Sequence, residues 1–102
     1  MTESELMDKI FDRPGMYIDY PSVIRMECFI NGFSFGRGLE NEPDPIYRGF
    51  TQWVIERRET RGQHPWSAIA TMIGGSEEGA FRIARKFWEA YKKSLQDPRD
   101  SN

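Results

Sequence analysis

Apolar residues recur along this chain at the three- and four-residue spacing of helices, in five separate stretches. The first runs over Glu3–Arg13, with Leu6, Met7, Ile10 and Phe11 on one side. Thr2 and Glu5 fit a capping box at its start, and Pro14-Gly15 stops it. Met16 to Pro21 then reads as a short extended connector. A second helix begins near Ser22 and runs to about Leu39, with Val23, Met26, Phe29, Ile30 and Phe33 as its apolar face. Gly32, Gly36 and Gly38 interrupt it, each costing about 1 kcal/mol against alanine, and close approach of another helix is the expected reason.

The segment 40–45, Glu-Asn-Glu-Pro-Asp-Pro, reads as an exposed acidic loop. A third helix over Ile46–Thr60 carries Ile46, Tyr47, Phe50, Trp53 and Val54, and its cations Arg57 and Arg58 suit the C-terminal end of the helix dipole. Pro65 fits the first turn of a fourth helix, with Trp66, Ile69, Ala70, Met72 and Ile73 apolar and Gly74-Gly75 closing it. Ser76 caps the last and clearest helix, Glu77–Leu95, whose stripe is Ala80, Ala84, Phe87, Trp88, Tyr91 and Leu95. The tail 96–102 reads as frayed. No segment alternates with the period of two that a strand requires. The expectation is one all-α domain spanning 1–102, a bundle of four to five helices.

Composition sharpens this picture in two places. Seven Phe, three Trp and four Tyr supply enough bulky apolar surface for a core, although mean hydropathy is −0.68. One cysteine, Cys28, and one histidine, His64, exclude an intramolecular disulfide and a Cys/His zinc cluster. Cys28, among Met26, Phe29 and Ile30, reads as a small buried hydrophobe. No apolar run reaches the ~20 residues of a membrane span, and the acidic start of the chain has no signal-peptide pattern. A cytoplasmic protein with no membrane partner is expected.

Charge is unevenly placed. Residues 1–45 hold nine acids and four bases, whereas residues 46–102 hold seven acids and ten bases. The bases of the second half are interspersed with Glu56, Glu59 and Glu89, the pattern of a solvated face, so nucleic-acid binding is not expected. Chemistry finds little support: His64 lies in a turn between Gln63 and Pro65, and no nucleophile elbow or paired carboxylates can be argued from spacing. The glycines of 31–40 lack the strand and the Gly-Lys-Ser/Thr ending of a phosphate loop. No catalytic residue, metal site or cofactor is expected, and the chain reads as a binding protein and not an enzyme.

The hexapeptide Arg13-Pro14-Gly15-Met16-Tyr17-Ile18 resembles a segment near the start of DNA gyrase B-type ATPase domains. Those domains also need an asparagine-bearing helix and a glycine-rich lid on a far larger α/β sandwich, so no ATP site is expected here. The same hexapeptide is followed by Pro21-Ser22, a hydrophobic helix ending in Asn31-Gly32-Phe33, then Phe50, Trp53 and Val54, then Trp66, Ser67 and Ile69, and finally Glu77, Glu78, Ala80 and Phe81. That pattern, over about residues 10–91, resembles small bacterial immunity proteins of polymorphic-toxin and contact-dependent growth-inhibition systems. The resemblance implies a cytoplasmic antidote that binds one cognate toxin domain, a nuclease among the candidates, and occludes its active site.

For such a partner, charge and expected exposure single out Glu40, Glu42 and Asp44 as the electrostatic element, with Asp19 and Tyr20 as rim or anchor. The alternative is a non-enzymatic helical adaptor or a homodimeric scaffold. Its mark would be an exposed apolar patch in place of the acidic loop.

Overall fold

The computed structural model describes residues 1–37, 44–58 and 64–96. These form six helices and no strand: α1 (Glu3–Asp12), α2 (Pro14–Tyr17), α3 (Val23–Arg37), α4 (Pro45–Arg58), α5 (Trp66–Gly74) and α6 (Glu77–Gln96). The all-α expectation is met, with one more helix than foreseen. The expected ends at Leu39 and Thr60 lie outside the described residues, as does the tail expected to fray over 96–102 apart from Gln96, which is helical.

The extra helix replaces the expected extended connector. Arg13, kept out of the helical region by the proline that follows it, ends α1. Pro14 then occupies the first helical position, where its fixed φ is favourable and its missing N–H is no loss. The Ile18 N–H closes the turn on the Pro14 carbonyl at 2.8 Å. The same proline therefore stops one helix and starts another. Thr2 and Glu5 cap α1 reciprocally, as their spacing predicts.

Ser22 caps α3 through its Oγ, which accepts from the Arg25 N–H at 3.3 Å, and its own hydroxyl donates to Glu77 Oε1 at 3.4 Å. Val23, Met26 and Ile30 form the buried side of α3. Phe29, expected in that face, is instead exposed, and so is Cys28. For Cys28 the reason is angular. At about 100° per residue, Cys28 lies some 160° from both Met26 and Ile30 when measured around the helix. Gly32 and Gly36 are also outward-facing, and a Cβ at either would meet nothing within 4 Å. Close packing inside this chain does not explain them; Gly38 is outside the described residues.

Close packing does occur at the α5–α6 junction. A Cβ on Gly74 would lie 2.3 Å from the Ala80 backbone nitrogen, and one on Gly79 would lie 2.5 Å from the Gly74 carbonyl oxygen. Gly75 at φ 76° ends α5 in the left-handed conformation, and its N–H bonds the Thr71 carbonyl. Ser76 starts α6 by accepting from the Gly79 N–H at 3.0 Å. Only glycine at 74 lets the two helices turn back on one another so tightly.

The centre of the core is aromatic. The Phe50 ring sits 5.0 Å from Trp88, 5.4 Å from Tyr91 and 5.6 Å from Trp66, tying α4, α5 and α6 together. Each polar tip is satisfied: Trp88 Nε1–H donates to Asp8 Oδ1 at 2.8 Å, and Tyr91 OH donates to the Ile46 carbonyl at 2.5 Å. Gly49 leaves room for that tyrosine, because a Cβ there would lie 2.7 Å from its hydroxyl. The expected stripe of α6 omits Phe81, which is buried with its ring 5.2 Å from Phe11, and it fails at its end. Leu95 is exposed, and Ser94 takes the inward place with its hydroxyl donated to the Tyr91 carbonyl. Met72 and Ile73, at the end of α5, and Ile46, at the start of α4, are likewise exposed.

Candidate protein-docking surface

Of the sequence-derived site residues, the described Asp19, Tyr20 and Asp44 do not come together. Glu40 and Glu42 lie outside the described residues. Asp44, expected on an exposed loop, is 8% exposed. Its Oδ2 accepts from the Ser4 N–H at 2.8 Å and from the Ser4 hydroxyl, while Oδ1 accepts from the Ile46 N–H at 3.0 Å. It thus caps α4 and straps it to the start of α1. Burial pushes its pKa up, but the Ser4, Ile46 and Tyr47 hydrogen bonds outweigh that and hold it below the usual aspartate value.

Asp19 and Tyr20 are exposed on the α2–α3 connector. Asp19 holds φ at 77°, the left-handed region that non-glycine residues other than Asn and Asp rarely adopt. The Arg25 guanidinium covers the Tyr20 ring at 4.4 Å. These residues stand at the N-terminal end of α3. Asp44 stands near its other end, since its partner Ser4 adjoins Glu3, which pairs with Arg37 at 2.9 Å. The 15 residues of α3 separate the two ends by about 22 Å.

Between them runs the outer face of α3. Ile24 and Phe35 are 60% and 89% exposed, and they share one line along the helix, being eleven residues apart. Phe29 lies on the opposite flank, its ring in edge contact with Tyr17 at 6.2 Å. Cys28 and Gly32 form the midline between these flanks. Large exposed apolar side chains thus border a low midline, on a helix whose other side is already sunk in the core. Sequence reasoning drew most of the inward side, Val23, Met26, Ile30 and the half-buried Phe33, but assigned no role to the apolar residues outside it. The available signal was Ile24 and Phe35, which share one line of the helix, about 16 Å apart, away from Val23, Met26 and Ile30.

Other polar groups are engaged within the fold. Glu3 is buried against Arg37, Ser67 donates its hydroxyl to Glu27, and Trp66 Nε1–H donates to the Tyr47 hydroxyl at 3.2 Å. Burial raises the Tyr47 pKa, and the Glu27 and Glu3 charges add to the rise against the bond from Trp66. His64 is exposed just before Pro65, which takes the N-cap position of α5 and not its first turn. Among the described residues no group of three or more His, Cys, Asp and Glu is placed to hold a metal ion. The α4 cations stack on aromatic rings, Arg57 over Trp53 at 5.4 Å and Arg58 over Phe87 at 6.0 Å. No helix of the described residues is long and apolar enough to cross a membrane.

Comparison with known protein families, with curated proteins and with solved structures gives no match to this chain.

Proposed function

We propose that this protein is a non-enzymatic protein-binding module that uses the outer face of α3. The observation that carries this reading is the exposure of Ile24 and Phe35 beside a midline of Cys28 and Gly32. Exposed apolar patches of this kind mark interaction surfaces when polar residues rim them, as Arg25 and Asn31 do here. The test uses the tagged chain as bait in lysate of its source cells, beside an Ile24→Ser/Phe35→Ser bait. A partner held by the first and lost by the second is the expected result. Identical sets of retained proteins would refute this face.

Neutralisation of a cognate toxin domain is the second reading, favoured by one feature. Asp19 is held outward in a strained backbone conformation next to Tyr20. Strain of that kind clusters at functional sites, and the resemblance to immunity proteins suggests the class of partner. Retention of a toxin domain, and its loss on Asp19→Ser or Tyr20→Ala, is the outcome this reading requires. Retention unaffected by either substitution would remove these two residues from it.

A further inference from the structure

Gly32 is the feature of α3 that its own fold does not explain. A side chain there would stand in open space, yet glycine in a helix interior gives up about 1 kcal/mol against alanine. Gly36, one turn on, repeats the anomaly. Both sit on the face that also exposes Ile24 and Phe35, so the missing side chains and the uncovered apolar ones occur together. A second helix crossing closely at Gly32 accounts for both.

The spacing of the face identifies that helix. We infer that the occupant is α3 of a second copy, crossing antiparallel about a two-fold axis near residue 30. This inference rests on the docking role proposed above for the same face. In that arrangement Ile24 meets the second copy's Phe35, Phe35 meets the second copy's Ile24, and Cys28 meets the second copy's Gly32. Ile24 and Phe35 lie on the same flank, as a two-fold axis across the helices requires for them to touch. The contact is therefore self-complementary, the condition for a closed dimer.

Charge agrees with this pairing. Arg25 is the one charged residue among the outward positions from 24 to 36, and it falls opposite the second copy's Gly36, away from the second copy's Arg25. An interface core depleted of charge is the usual pattern. Exposed area bounds the interface: at full burial of Ile24, Phe29, Phe35 and the small residues between them each copy would contribute at most ~600 Å², so the pair reaches at most ~1,200 Å², the lower bound of specific interfaces. A reversible dimer in the micromolar range is expected, not an obligate one.

Sedimentation velocity of the purified full chain, with reductant, from about 1 to about 300 μM tests the inference. The wild type is expected to shift from monomer to dimer across that range. Gly32→Arg places bulk and charge at the crossing while meeting nothing in its own chain, so it should raise the dimer dissociation constant at least about tenfold. In melts at about 1 μM, where both are expected as monomers, its thermal midpoint should match or exceed the wild type's, since arginine is the better helix former. A wild type that stays monomeric, or a Gly32→Arg variant that dimerises as the wild type does, overturns the inference. A monomer whose bait partners still vanish with Ile24→Ser/Phe35→Ser would overturn the dimer and leave the docking face standing. A monomer whose partners ignore those substitutions would overturn both.

Discussion

Replacing Asp44 by alanine removes one carboxylate from two helix termini at once. At α4 it deletes the cap on the Ile46 N–H, a loss typically worth about 1 kcal/mol and up to about 2. At α1 it frees the Ser4 N–H and hydroxyl, two hydrogen bonds to a charged acceptor, each worth about 1 kcal/mol or more net. The α1 capping box of Thr2 and Glu5 survives, so that helix is unstrapped but not unwound. The sum is about 3–4 kcal/mol, or a fall in Tm of roughly 12–32 °C for a domain of this size. Urea unfolding followed by tryptophan fluorescence reads the difference directly. The pH dependence follows from the depressed pKa. The folded state binds the Asp44 proton less tightly than the unfolded chain, so the contribution is full above the ordinary aspartate range. It is lost as pH falls through that range and then through the folded pKa. The gap between wild type and Asp44→Ala should therefore narrow under acid. A loss below ~0.5 kcal/mol at neutral pH, the range of an ordinary surface substitution, or a gap that does not change with pH, would refute the capping account.

Trp88→Ala should lose about 3–5 kcal/mol in the same assay, since the ring is 1% exposed and packed on Phe50 and Tyr91. Two glycine substitutions should act in opposite directions in thermal melts at low protein concentration. Gly74→Ala should destabilise by about 1–3 kcal/mol or more, because its Cβ meets Ala80 backbone, whereas Gly32→Ala should stabilise by up to about 1 kcal/mol. Asp19→Gly should stabilise by about 1 kcal/mol by relieving the left-handed conformation; a loss of stability would mean that the aspartate side chain, and not the turn, sets that φ.

Where one face of a helix was polar, the sequence predicted the structure closely. The last helix has its acids at the first turn, cations on the outer side and a single apolar stripe, and it was legible to within a residue at its end. The reading left out the buried Phe81, and its misplacement of Leu95 for Ser94 falls where the core runs out and a serine can satisfy itself on the preceding turn. The α3 helix was legible in most of its inward side, Val23, Met26, Ile30 and the half-buried Phe33, and misread at Phe29 and Cys28. Further apolar residues lie outside that side, so the exposure of Ile24 and Phe35 was decided by packing against the other helices. Asp44 shows the converse error. An acid between two prolines has the composition of a solvated loop, and beyond the local cap on Ile46 nothing nearby reveals that a serine forty residues earlier supplies two further hydrogen bonds. Asp19 and Tyr20 were placed on the surface as expected, but the apolar face beside them was not anticipated.

The central claim is that partners cover the outer face of α3, and Cys28 reports on it directly because its exposed thiol lies on the midline of that face. The measurement is the rate of Cys28 modification by a maleimide, in dilute purified protein and again with the partner present, a concentrated second copy included. The account predicts fast modification in dilute protein and at least about tenfold protection when the face is covered, the ratio expected when about nine-tenths of the chains are bound. A rate unchanged by a saturating bound partner would place docking elsewhere and contradict the claim.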